Sequence, residues 1–435
     1  MSQPHPGAQP ASKVNSPGTV LFASLIGTTI EFFDFYIYAT AAVLVFPKLF
    51  FPAGDAAAAT LQSLATFAIA FFARPVGSAV FGHFGDRVGR KATLVAALLT
   101  MGLSTVAIGM LPTYAAIGTM APLLLALCRF GQGLGLGGEW GGAVLLATEN
   151  APPGKRAWYG MFPQLGAPIG FFLSGSIFLV LSQTLTDEQF FSYGWRIPFL
   201  SSALLVIVGL YVRLKITETP DFQKVLDKGE RVKIPAVAVF RDHTRMLVLG
   251  TLMAMATFVL FYLMTVFTLS WGTTALGYTR KDFLILQLFS VLFFGLTIPV
   301  TALVADRYGR RLTLIVVSAL IMAFGLVLAP LFGSGSTIEV TLAMSIGLGL
   351  MGMTYGPLGT MLSELFPPEV RYTGASLTFN LAGILGASLA PYIATWLATN
   401  HGLQYVGYYL SLAAVLTLGA LLMVGKPRAG KEAWE

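Results

Sequence analysis

Twelve stretches of roughly 20 consecutive apolar residues run through this chain, each long enough to cross a lipid bilayer as a helix. They fall near residues 20–46, 60–81, 92–111, 119–147, 157–182, 196–214, 246–271, 282–304, 312–332, 338–362, 373–398 and 403–425. Turn-forming compositions separate them, among them PAGDAA (52–57), LPTYAAIG (111–118), TLTDEQF (184–190), TALGYTRKD (274–282) and FGSGST (332–337). Charged residues make up only 11% of the 435, against about 25% in soluble domains. The expected fold is an all-α membrane protein of 12 transmembrane helices.

The polar remainder fixes topology. Residues 1–17 are polar and proline-rich without an apolar core, which reads as a cytoplasmic N-terminal tail rather than a cleaved signal. Residues 217–244 form the longest polar stretch and read as a cytoplasmic linker containing a short amphipathic helix, with 426–435 as a C-terminal tail. Of the 27 Lys and Arg, 21 fall on the side of the termini and four on the other (Lys48, Arg196, Arg280 and Lys281), while Arg74 and Arg129 lie within the membrane. The positive-inside rule therefore places both termini in the cytoplasm, and the net charge of +7 reports topology rather than nucleic-acid binding. The single cysteine, Cys128, excludes an intramolecular disulfide and reads as packing.

The chain repeats itself. GDRVGRK (85–91) joins spans two and three, and ADRYGRR (305–311) joins spans eight and nine at an offset of 220 residues. TENAPPGKRAWYG (148–160) aligns with SELFPPEVRYTG (363–374) at an offset of 215, setting Glu149 on Glu364 and Arg156 on Arg371. Corresponding inner loops imply two pseudo-symmetric six-helix bundles, over 18–216 and 245–425, with a solute site between them near the midplane, the plan of an alternating-access carrier. The loop charges suit a gating latch. An acid such as Asp86 or Asp306 is favoured at a helix N-terminus, while Arg87, Arg90, Arg307 and Arg310 offer donors to neighbouring helix ends.

Five charges lie inside the membrane, all in the first half: Glu31, Asp34, Arg74, Arg129 and Glu139. Each costs roughly 3 kcal/mol or more at bilayer depth unless it has a partner or a wet path. Asp34 lies some fourteen residues, roughly 20 Å, from the helix start near Val20, too deep for an interfacial carboxylate. Counting depth from the span ends pairs Asp34 with Arg129 and Arg74 with Glu139, leaving Glu31 able to join either. The corresponding positions of the second half carry Ala254, Thr257, Met351, Gly352 and Tyr355, so ion coupling is expected in the first half alone. Arg129 favours the charged carboxylate of Asp34 and burial the neutral one. Protonation of Asp34 would therefore free Arg129 for the solute and let the neutral site close and reopen. His5, His83, His243 and His401 all lie in tails or loops, and paired carboxylates and arginines suit protons better than Na⁺.

G-x-x-x-D-R-x-G-R-[RK] at 82–91 resembles the signature loop of the major facilitator superfamily. IEFFDFYIY (30–38), ARPVGSAVFGHFGDRVGRK (73–91), RFGQGLGLGGEWGGAVLLATENAPPGKRAWYG (129–160), WRIPFL (195–200) and PPEVRYTG (367–374) are similar to its metabolite:proton symporter family. That family holds bacterial carriers of shikimate, proline/betaine, citrate and α-ketoglutarate. The resemblance covers nearly the whole chain and implies the major facilitator fold, the bacterial inner membrane, no cofactor, and the proton as coupling ion. In it Asp34 and Arg129 match the span-one aspartate and span-four arginine that sugar:proton symporters use for coupling, with Glu31 as a modulator.

The expected function is a monomeric, proton-coupled symporter importing a small carboxylate or zwitterionic metabolite. Its partners are the solute, the proton and the bilayer, without nucleic acid. Candidate solute contacts are Tyr36, Tyr38, Arg74, Gln132, Glu139, Trp140 and Gln164, with Tyr262, Gln287, Tyr355 and Asn380 from the second half; each polar one is equally an interhelical hydrogen bond. A proline/betaine-type osmolyte carrier is the alternative. The ten residues after 425 leave no room for the coiled coil of an osmosensing relative, which weakens it. A membrane enzyme lacks a metal cluster and a nucleophile–base pair, and a sensor lacks an output domain.

Overall fold

The computed structural model describes residues 17–52, 55–88, 90–215, 235–367 and 370–424, except for the side chains of 17, 20, 82–94, 149, 215 and 235. Among the described residues it is helical without strands. In hydrocarbon a helix satisfies its own backbone polar groups, so long apolar segments have few other forms open to them.

Span one is Pro17–Leu44, span two Ala56–Val88, span three Arg90–Met110, span five Arg156–Thr184 and span six Arg196–Lys215. Span eight is Arg280–Tyr308, span nine Arg310–Phe332, span ten Thr337–Glu364 and span twelve Leu403–Met423. Eleven spans are long and apolar enough to cross a membrane among the described residues, and Val95–Met110 within span three is a shorter apolar helix.

Three spans are interrupted. Span four stops as an α-helix at Gly137 and restarts at Trp140, so Met120–Gly137 and Trp140–Glu149 meet at Glu139. Span seven runs Thr244–Tyr262, widens to a π-helical turn over Leu263–Phe267 and resumes as Thr268–Thr274. Span eleven does the same, with Arg371–Gly383, Ile384–Ser388 and Ala390–Asn400. Such interruptions leave carbonyls free and are common at functional sites.

Packing repeats between the halves. Span one packs on five, two on four and three on six; seven packs on eleven, eight on ten and nine on twelve. These are two six-helix bundles in corresponding arrangement, joined through span five against eight and ten and through span two against eleven. The amphipathic helix expected in the linker is found at its end, Pro235–Asp242, where Val239 is buried against the second bundle; residues 216–234 lie outside the described residues. We call the face carrying the junctions at 88–90, 149–156, 308–310 and 364–371 the basic face.

Candidate functional site

Asp34 is fully buried on span one and makes no ion pair among the described residues. Ser202 of span six donates to its Oδ1 at 2.6 Å. The Thr105 hydroxyl of span three lies beside the same carboxyl, and Oδ2 has no partner. Arg129 is equally buried. It donates through Nη1 to Gln132 Oε1 at 2.9 Å and through Nε to the Phe67 carbonyl at 3.4 Å. Gln132 Nε2 in turn donates to Thr105 Oγ1 at 2.8 Å. The direct Asp34–Arg129 pair read from depth is therefore not formed in this conformation. A hydroxyl and an amide stand between the two charges, and the guanidinium lies over the rings of Tyr38, Phe35 and Phe67 at 4.0, 4.5 and 4.9 Å, which partly replaces its hydration.

The second expected pair is replaced. Glu139, at the break in span four, forms its ion pair with Arg213 of span six rather than with Arg74. Arg213 lies near the end of span six, four residues from the linker, and counts as an inner-loop charge by sequence; its side chain is only 11% exposed. Arg74 is held over the rings of Phe71 and Phe35 at 4.7 and 4.8 Å, and its Nε lacks a partner. Glu31 is buried with Oε2 unpartnered, within electrostatic reach of Arg74 and Arg213.

Around Glu31 and Arg74 the two bundles meet in aromatic contact. Tyr36 packs among Phe171, Phe261 and Phe32 at centroid distances of 5.2, 5.4 and 5.6 Å. Tyr262 lies against Phe71, Phe67 and Phe35 at 5.4, 5.6 and 6.1 Å. Tyr355 meets Phe294 at 5.9 Å and Phe32 at 6.5 Å. Charges on Glu31 and Arg74 reach all three tyrosines. Tyr38 faces elsewhere, donating to Thr66 Oγ1 at 3.1 Å. Gln287 stands apart: its amide donates to the Thr265 carbonyl at 2.6 Å, occupying an acceptor in the π-helical turn of span seven.

Beneath this aromatic junction the bundles are cross-linked. Trp140 stacks on Phe379 at 3.7 Å and donates to Gln164 Oε1 at 3.2 Å. Gln164 donates to the Tyr355 carbonyl at 3.0 Å. The carbonyls freed at the break of span four are also taken: Ser78 donates to Gly137 and Tyr372 to Gly138, the latter at 2.7 Å, while Asn380 donates to Ser78 Oγ at 2.9 Å. At the basic face Asp306 accepts from the backbone nitrogens of Ala157 and Trp158, both at 2.9 Å, capping span five from the other bundle. Glu364 takes Arg310 at 2.9 Å and Arg156 at 3.7 Å, and Arg310 reaches Asp306 at 3.7 Å. Arg371 donates to the Phe366 carbonyl at 3.2 Å, and Arg307 is exposed over Tyr308. The side chains of Asp86, Arg87, Arg90 and Glu149 lie outside the described residues. At the opposite face Arg280 donates to Ser182 at 2.8 Å and pairs with Asp187 at 3.0 Å. Cross-bundle contacts thus lie on both sides of the centre.

Arg213, Ser202, Thr105 and Ser78 escape a sequence reading because hydroxyls are common in membrane helices and Arg213 borders a basic linker. Among the described residues no group of three or more His, Cys, Asp or Glu is arranged to hold a metal ion.

The chain matches the family model of the Major Facilitator Superfamily over residues 24–384 and 273–434. It is 62% identical over 425 residues to the inner membrane metabolite transport protein YhjE of Escherichia coli (strain K12), covering 97% of each chain. It is 35% identical to the shikimate transporter of the same organism, covering 92% of this chain and 91% of that one. It is 33% identical to the proline/betaine transporter of Salmonella typhimurium, covering 91% and 81%. The fold resembles crystallised D-xylose–proton symporter at a TM-score of 0.73 and 17% identity, covering 93% and 96%, and a partially occluded inward-open XylE from E. coli at 0.75 and 17%, covering 95% and 99%.

Proposed function

The chain belongs to the Major Facilitator Superfamily, and from that premise we propose that it is a proton-coupled symporter importing a small carboxylate or zwitterionic metabolite across the bacterial inner membrane. It is a membrane transporter rather than an enzyme. In this reading the basic face is cytoplasmic, both termini lie inside, and the protein works as a monomer.

The observation that carries the reading is Asp34. A fully buried carboxyl with one hydroxyl donor, an unpartnered oxygen and no cation beside it is costly as an anion and cheap as a neutral acid. Proton binding would thus permit closure of the site, and proton loss would draw Arg129 toward Asp34 and reset it. The solute would sit among Tyr36, Tyr262 and Tyr355, with Arg74 and Glu31 as its charged contacts. Trp140, Gln164 and Asn380 would close the chamber below it, and Asp306, Arg310, Arg156 and Glu364 would form the cytoplasmic latch.

Uptake into proteoliposomes under an imposed pH gradient, inside alkaline, tests this reading. A carrier with Asp34 as the proton site accumulates solute only while the gradient lasts; uptake indifferent to every gradient would exclude proton coupling.

A further inference from the structure

The described interior of the first bundle holds three acids, Glu31, Asp34 and Glu139, and three arginines, Arg74, Arg129 and Arg213. When all six are ionised their charges cancel. Among these six, Glu139 and Arg213 form a direct ion pair. With a proton on Asp34, the interior carries one positive charge in excess. That surplus rests with Arg74 and Arg129, whose guanidinium groups flank the Phe35 ring at 4.8 and 4.5 Å. Each has a buried nitrogen without a partner, Nε of Arg74 and Nη2 of Arg129.

We propose that the occluded carrier is loaded by one proton on Asp34 together with one monoanionic carboxylate at Arg74, so that the solute is a monoanionic organic acid and its transport is electroneutral. The inference rests on the symporter reading above and names its substrate class and stoichiometry. Two states must pass through the closed form, the empty carrier and the loaded one. Burying an uncompensated charge is costly, and this loading leaves both states without net buried charge. A zwitterion entering with a proton leaves one positive charge too many, and a dianion with one proton leaves one negative.

The proton comes from water on one side, forms an O–H bond on the Asp34 carboxyl and returns to water on the other; no bond in the solute changes. Ser202 from span six and Thr105 from span three are the polar groups facing that carboxyl. Glu31 lies one turn away on the same helix, and Arg129 of span four connects through Gln132 and Thr105.

The full chain in proteoliposomes, read against protein-free liposomes, tests this with radiolabelled shikimate and, as further monocarboxylate probes, quinate and gluconate; glycine betaine serves as the net-neutral zwitterion. A pH gradient of one unit is imposed with and without a valinomycin–K⁺ potential, inside negative. One proton per carboxylate sets a limit of about tenfold accumulation per pH unit, and the potential adds nothing. Accumulation driven by the potential, or a limit of about a hundredfold per pH unit, overturns the inference. Gradient-driven uptake of betaine without any monocarboxylate also overturns it while leaving the symporter reading standing. Uptake of none of the monocarboxylates overturns the inference, whereas uptake of any probe that ignores every gradient removes the symporter reading with it.

Discussion

Arg213 of span six and Glu139 at the break in span four form a buried ion pair inside the first bundle, with Gly27 of span one packed beside both side chains. The pair ties the broken helix to the span that also supplies Ser202 to Asp34. It therefore couples the break in span four to the helix that holds Asp34, the carboxyl proposed to carry the proton.

Removing one member of that pair leaves an uncompensated buried charge. Arg213→Gln is expected to destabilise the protein by about 3–5 kcal/mol, and the double variant Arg213→Gln/Glu139→Gln by clearly less. Thermal unfolding of the purified protein reads the difference. Asp242→Asn, which breaks the fully exposed Arg241–Asp242 pair, is expected to leave the melting temperature unchanged. A double variant no better than the single one would mean that the carboxylate and guanidinium are not each other's partner.

Asp34→Asn keeps the shape of the side chain and removes its proton site. Gradient-driven accumulation is expected to vanish while solute exchange across the membrane persists. Unchanged accumulation would dismiss Asp34 as the coupling residue. Arg129→Lys is expected to lower transport severely as well, because an ammonium cannot donate to Gln132 and Phe67 at once while lying on three rings.

Asp306→Asn removes the charge that caps span five from the opposite bundle. A cap of this kind stabilises by about 1–2 kcal/mol, so the open population of the basic face is expected to rise roughly 5- to 30-fold. With Cys128→Ser as background, the alkylation rate of a cysteine at buried Thr360 measures it. A rate unaltered by Asp306→Asn would remove this contact from the latch.

Gly137 lies tight against span two: a Cβ there would meet the Arg74 carbonyl. Gly137→Ala is expected to cost about 1–3 kcal/mol through forced separation of the helices. It should depress transport further by displacing Arg74. Wild-type melting temperature and wild-type uptake together would show that the backbones can part freely.

Much of this was legible in the chain. Segments of about 20 apolar residues have little choice but to span, and the register of ADRYGRR on GDRVGRK announced two matching bundles. The depth of Asp34 and Arg129 followed from counting residues along a helix. Helix rotation does not follow from counting. A residue on an apolar helix can face any neighbour, so Asp34 meets Ser202 while Arg129 meets Gln132 and three rings. Gln287, a candidate for solute contact, donates to the Thr265 carbonyl in this conformation.

The amino-acid sequence by itself determined that the chain is a two-bundle membrane carrier whose charges at membrane depth lie in its first half, because hydrocarbon penalises charge and unpaired backbone irrespective of sequence detail. Only the tertiary structure decided the partners. It drew Arg213 inward to Glu139, left Arg74 and Glu31 facing the aromatic junction, and set Asp306 on the first turn of span five. Such pairings depend on how twelve helices are turned about their own axes, which is settled by packing between segments far apart in the chain.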